Sequence, residues 1–173
     1  YDAYFNDHLA FKNPIVAFGK LADIHVFGEV TSDAVLMGKD GWMFYKLKGE
    51  MEDSIADYQG TNHYSVDEME RFGALLKQAE ENLASRGIKL VFYMVPNKEQ
   101  VYSEFMPSSV KVVQEQSKAD LLYEYLKENT DCDVYYPLDE FRKAKDDWCQ
   151  IYRKYDTHWN DMGAFMASQM VIQ

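Results

Sequence analysis

The sequence predicts an α/β fold, a three-layer α/β/α sandwich built on a mainly parallel sheet. Two observations predict it. Ile88 to Val95 is apolar at every position but Lys89, the composition of a strand covered on both faces, as in a parallel sheet. Around it the segments run helix, strand, helix, strand and a last helix after Asn160, which is the order of βαβ units.

In chain order, Tyr4, Phe5, Leu9, Phe11, Ile15, Val16, Phe18 and Leu21 give a lead-in of about 1–33 its apolar side, and Pro14 suits the first turn of a helix. Two apolar runs, Ala34 to Met37 and Trp42 to Tyr45, flank Gly38-Lys39-Asp40-Gly41. That pattern is a hairpin of about 34–45, with Lys39-Asp40 at its tip and Trp42, Phe44 and Tyr45 read as core. Lys46 to Asn62 reads as polar loop. Ser65-Val66-Asp67-Glu68 is a capping box, and Met69, Phe72, Leu76, Ala79 and Leu83 continue at helical spacing until Arg86-Gly87. Pro96-Asn97-Lys98 closes the apolar strand. A second helix starts near Ser117 with Asp120 at the capping-box position, and Asp133 to Tyr136 is a strand stopped by Pro137. The α/β core is therefore about 64–173, within a single domain over 1–173.

The chain has 173 residues, 47% of them apolar, with 13 Tyr and 10 Phe. This is the composition of one globular domain with a sizeable core. A formal charge of −11 argues against nucleic acid or an anionic membrane surface as partner. The sequence begins at Tyr1, and Met162 to Gln173 stops inside an apolar helical pattern without a closing Gly, Asn or Pro. Both ends are accordingly read as cut, with any signal or anchor left out. Cys132 and Cys149 could be joined or be two free thiols, and without a His pair nearby they do not form a zinc site.

The most informative stretch is Tyr152-Arg153-Lys154-Tyr155-Asp156-Thr157-His158-Trp159-Asn160. Asp156 and His158 are two apart, so in an extended or turning backbone both side chains can point one way. A carboxylate there can accept the imidazole Nδ1 proton, fix the tautomer and stabilise the imidazolium formed when Nε2 takes a proton from a hydroxyl. Asn160 is placed to cap the helix that follows. By itself an Asp-x-His pair is more often a surface hydrogen bond. Asn97 and Lys98 are weaker candidates. They follow a buried parallel strand, at the carboxyl edge where ligands of open α/β sheets bind, and could donate to an oxyanion or a sugar hydroxyl. A turn with a solvated lysine is the competing reading. His8, His25 and His63 read as structural or exposed, and Asp139-Glu140 and Asp146-Asp147 as solvated charge.

The block Asp156-Thr157-His158-Trp159-Asn160 with Gly163-Ala164 resembles the Asp-Thr-His-Trp motif of the SGNH-hydrolase-like alginate O-acetylation proteins, AlgX and AlgJ and their relatives. Gly38-Lys39-Asp40-Gly41-Trp42-Met43-Phe44-Tyr45 is similar to that family's Gly-Lys-Asp-Gly-Trp-Leu-Phe-Tyr block. Val95-Pro96-Asn97-Lys98 through Tyr102 and Pro107 is similar to its Val-Pro-x-Lys segment. Phe5-Asn6-Asp7-His8 with Phe11-Lys12-Asn13-Pro14 is similar to its opening, with Lys12 where Arg is usual.

The resemblance implies an SGNH-like sandwich, lacking its C-terminal strands and helices, in an extracytoplasmic polysaccharide O-acetyltransferase. Asp156 and His158 would be two members of a Ser-His-Asp triad. The family's serine lies further on in a Gly-Asp-Ser-type block, which does not occur here, so the chain alone is expected to be inactive. The chemistry needs no metal or organic cofactor. The implied partners are a polysaccharide and an acyl donor, with a membrane acyltransferase as a candidate partner. A carbohydrate O-acetylesterase of the same fold, or a non-catalytic glycan- or partner-binding module of an export complex, remains as an alternative.

Overall fold

A computed structural model describes residues 34–46, 49, 53–147 and 149–172. The lead-in expected over 1–33, with His8 and His25, lies outside the described residues.

The expected hairpin forms. Strands β1 (Val35–Met37) and β2 (Met43–Tyr45) pair antiparallel, Leu36 opposite Phe44. A 3-10 turn at Lys39–Gly41 joins them, with Asp40 at φ 53° and Gly41 at φ 72°. Trp42 and Phe44 point into a core, at 8% and 1% exposure, whereas Tyr45 is 42% exposed and is not the core residue expected. The alternation of a strand puts Phe44 and Tyr45 on opposite faces, so only one can be inside.

The stretch expected to be loop carries a helix, α1 (Ser54–Gln59). Its signals are local. The Asp53 carboxylate accepts from the Ala56 amide at 2.9 Å, and Gly60 ends the helix at φ 70°. Six residues are too few for apolar periodicity to register. Helix α2 (Val66–Ala84) opens with the expected capping box: Ser65 N donates to Glu68 Oε2 at 2.8 Å, and Glu68 N donates to Ser65 Oγ at 3.3 Å. Gly87, at φ 72°, lets the chain turn away.

Strand β3 (Val91–Tyr93) and strand β4 (Asp133–Tyr135) are parallel, Phe92 opposite Val134. Between them run α3 (Lys98–Val101) and α4 (Lys118–Asn129), the latter with its own capping box from Ser117 and Asp120. Helix α5 (Leu138–Asp147) then follows, unforeseen in the sequence, and α6 (Asp161–Ile172) follows the loop after it. β3 is shorter and less covered than expected. It is half-buried, with Ile88 50% and Val95 45% exposed at the ends of the apolar run. Among the described residues its sheet contains β4 alone, so pairing and cover end where that partner ends.

Two cores result. Leu76, Leu122, Leu126 and Cys132 bind α2 and α4 to the parallel strands. Burial of a leucine such as Leu126, 0% exposed, stabilises by about 1.5–3 kcal/mol. The second core joins the hairpin, α3, α5 and the loop before α6 through Trp42, Phe44, Val101, Phe141, Ile151 and Tyr152. Trp42 stacks on Tyr102 and Phe105, with ring centroids 4.4 and 4.6 Å apart. Cys132 and Cys149 are free thiols. The second core is the platform for the Asp156–His158 loop.

Candidate active site

The loop is closed at its base. Tyr152 and Trp159 form an antiparallel bridge, and Asn160 N donates to Ile151 O at 2.8 Å. Below the bridge, Ile151 N donates to the Tyr102 hydroxyl at 2.9 Å, and the buried Tyr152 hydroxyl donates to the Pro96 carbonyl. Asn160 caps α6 as expected. Its Oδ1 accepts from Met162 N at 3.0 Å and Gly163 N at 3.1 Å, while its Nδ2 donates to Gln150 O at 2.6 Å. The rim is otherwise solvated: Arg153, Tyr155, Asp156, Thr157 and His158 are all exposed.

On that rim Asp156 and His158 are in contact. Asp156 Oδ1 lies 2.9 Å from His158 Nδ1 and also accepts from the His158 backbone amide at 3.0 Å. These two bonds hold the Asp156 carboxyl below the usual carboxylate range. The His158 side chain is 84% exposed. Thr157 Oγ1 stands 3.4 Å from Nδ1, and among the described residues no hydrogen bond reaches Nε2. Because an ionised carboxylate can only accept, the neutral ring carries its proton on Nδ1 and has its lone pair on Nε2.

The ring lines a cavity of about 770 Å³, together with Tyr45, Asn97, Glu99, Tyr152 and Trp159. Of the two weaker candidates, Asn97 is exposed at the N-terminus of α3 with no side-chain capping bond. Lys98 is not the solvated lysine of the competing reading: it is 3% exposed. Its Nζ donates to the carbonyls of Met43, Arg153, Lys154 and Asp156 at 2.7, 2.8, 3.0 and 3.0 Å. An ammonium has three protons, so four acceptors leave none for a ligand. Burial lowers Lys98 to about 8, against the pull of the Glu99 and Asp156 carboxylates.

Glu99 is the residue that sequence reading missed. It is 5% exposed and burial raises it to about 7. Nothing in the sequence separates it from an ordinary surface Glu in a short helix. His63 is half-buried with Nε2 3.1 Å from Gln116 O, a structural role as expected. Asp139, Glu140, Asp146 and Asp147 are exposed. Among the described residues no cluster of His, Cys, Asp or Glu could hold a metal ion.

Against this geometry the similarities to known proteins can be set. "Probable alginate O-acetylase AlgJ" of Pseudomonas aeruginosa is 29% identical over 138 residues, 78% of this chain and 31% of that protein. The protein of the same name from Pseudomonas syringae is 26% identical over 176 residues, 98% of this chain and 40% of that protein. The chain thus spans between 31% and 40% of the length of these relatives. The O-acetyltransferase domain of Pseudomonas putida AlgJ superposes with a TM-score of 0.53 at 21% identity, over 79% of this chain and 45% of that one. Bacillus cereus PatB1 with a sulfonyl adduct superposes with 0.52 at 17% identity, over 83% and 43%. At such identities the solved structures show the fold, the SGNH-hydrolase-like α/β sandwich. The profile of the AlgX acetyltransferase SGNH hydrolase-like domain matches residues 35–173. With four-fifths of its length inside that match, the chain belongs to the AlgX family of SGNH hydrolase-like domains.

Proposed function

We propose that this chain carries the base and its orienting acid in the acyl-transfer site of an extracytoplasmic polysaccharide O-acetyltransferase. The observation that supports it best is the 2.9 Å contact of Asp156 Oδ1 with His158 Nδ1, on a ring whose Nε2 is unpartnered among the described residues. Membership of the AlgX family and likeness to proteins named probable alginate O-acetylases support the substrate class.

In this reading a serine of the complete protein meets His158 Nε2. As the serine oxygen attacks the acyl carbonyl, Nε2 takes the hydroxyl proton and Asp156 stabilises the imidazolium. Collapse of the tetrahedral intermediate breaks the bond to the donor's leaving group, which takes that proton, and leaves an acyl-serine. A sugar hydroxyl then loses its proton to Nε2 and attacks. The ester passes to the glycan, and the proton returns to the serine. The steps call on no metal or organic cofactor. The acyl donor, a membrane acyltransferase partner and an extracytoplasmic location belong to the same proposal. No helix among the described residues is long and apolar enough to cross a membrane.

The test is acetyl transfer by the complete protein as wild type, Asp156→Asn, His158→Ala and the double variant, with circular dichroism to verify folding. Loss of the base should cost a hundredfold or more. Asp156→Asn should cost on the order of ten-thousandfold, the value the protease triad gives for this change. The double should be little worse than the worse single, because such residues act as a unit. His158→Ala within about tenfold of wild type would overturn the assignment and favour a glycan-binding module. Acetate released rather than transferred would mark an esterase.

A further inference from the structure

We propose that Lys98 is a positioning residue, whose ammonium holds the loop bearing Asp156 and His158 against the hairpin. The inference rests on the site proposed above and adds to it the device that sets its geometry.

Three segments far apart in sequence meet at one nitrogen. Lys98 Nζ bonds Met43 O on β2 and, on the loop, Arg153 O, Lys154 O and Asp156 O, all within 2.7–3.0 Å. It also lies 5.0 Å from the Trp42 ring centroid and 5.3 Å from that of Phe44, so aromatic faces complete its shell. Three loop carbonyls converging on one point set their negative ends against each other. That arrangement is favourable only with a cation between them.

Among the described residues the rim of the loop has few other ties. Its own turn bond, Asp156 N to Arg153 O, is long at 3.4 Å, and its outer side chains are exposed. Besides the Tyr152–Trp159 bridge and the Asn160 bonds to Ile151 O and Gln150 O at its base, a further tie among the described residues is Met43 N to Lys154 O at 3.0 Å, on the strand Lys98 also grips. The Asp156–His158 bond is local, two residues apart, and can form wherever the loop goes. What Lys98 fixes is where the pair sits relative to the cavity. A displacement of about 1 Å there can cost a hundredfold in rate.

Lys98→Met keeps the length of the side chain and removes the charge, while Lys98→Arg keeps the charge but presents a planar fork in place of a point donor. Two readouts are taken. In this chain, amide exchange should quicken about tenfold or more at Met43 and Asp156 in Lys98→Met, while Leu76 and Leu126 keep their protection. In the complete protein kcat should fall tenfold or more with KM within about threefold, the split expected when positioning rather than binding is lost. Lys98→Arg should lie between Met and wild type on both. Should Lys98→Met fail to fold, Lys98→Arg decides by the same two readouts. Loop exchange and kcat both unchanged in the folded variant overturn the proposal. Retained activity in His158→Ala overturns the catalytic reading instead, and leaves the exchange result to judge the loop alone.

Discussion

Gly38 packs so closely on the carbonyl of Phe105 that a Cβ at Gly38 would fall 2.2 Å from the oxygen, and 2.6 Å from the Phe44 ring. The neighbour is backbone and cannot swing aside. Gly38→Ala should therefore prise the hairpin from the 103–105 turn and lower stability by about 3 kcal/mol, the upper range for overpacking. Gly87→Ala is the control, with nothing among the described residues within 4 Å but φ at 72°, and should cost only about 1–2 kcal/mol. Urea unfolding of both variants checks the order. A larger loss at Gly87 would show that the close approach does not constrain the fold.

Glu99 should make the protein less stable as pH rises. Its carboxyl titrates near 4.5 in the unfolded chain and at about 7 when folded, because burial disfavours the carboxylate. Between those values the native state binds more protons than the unfolded one, so stability is full below about 4.5 and declines toward 7. The difference corresponds to roughly 3 kcal/mol. Glu99→Gln should accordingly gain on that order over wild type at pH 8 and almost nothing at pH 4, read from denaturant midpoints at each pH. Equal gains at both would mean that packing, not ionisation, is the cause.

What the sequence made legible is what local chemistry decides. Ser65 with Glu68, Ser117 with Asp120, and Asn160 before α6 cap helices because their side chains meet nearby amides, and they are found where expected. The Asp156–His158 contact is legible for the same reason, being two residues long. Helix α5 was not, since its three buried residues, Leu138, Phe141 and Ala144, are lost among charges too numerous to suggest a core. The surroundings of Lys98 were not legible either. Its environment is assembled from residues 55 to 58 positions away, and no local pattern records a carbonyl cage. Glu99 is buried for the same reason, by tertiary packing that the tetrapeptide Asn97-Lys98-Glu99-Gln100 does not announce.

Asn160 uses both ends of its amide, and the two ends can be separated by substitution. Asn160→Ala removes the cap of α6 and the Nδ2 bond to Gln150 O, and should cost about 1–2 kcal/mol. Asn160→Asp retains the capping oxygen and adds a favourable charge at the helix N-terminus, but leaves the Gln150 carbonyl without its donor. It should recover more than half of the loss. Thermal unfolding of the three proteins decides. An Asp variant as weak as Ala would place the anchoring in the Gln150 bond rather than the cap.

The tautomer of His158 is the property on which the proposed chemistry turns, and it can be read in this chain without a substrate. Asp156 Oδ1 accepts from His158 N at 3.0 Å and faces Nδ1 at 2.9 Å. An ionised carboxylate accepts and never donates, so the neutral ring must hold its proton on Nδ1. The bonds that lower the Asp156 carboxyl keep it ionised to a lower pH than a free aspartate. The stability it contributes is present above the unfolded carboxyl's titration and is lost as pH falls through the depressed folded value. Asp156→Asn keeps an oxygen for the His158 amide but offers an NH₂ to Nδ1, which then must accept. The proton moves to Nε2, and the lone pair needed to receive a hydroxyl proton is gone. Long-range proton–nitrogen correlation spectra at about pH 9, where an ordinary imidazole is neutral, should show Nδ1 protonated in wild type and Nε2 protonated in the variant. The same tautomer in both proteins would mean that Asp156 does not orient the ring, and that the 2.9 Å contact is a surface hydrogen bond of no catalytic consequence.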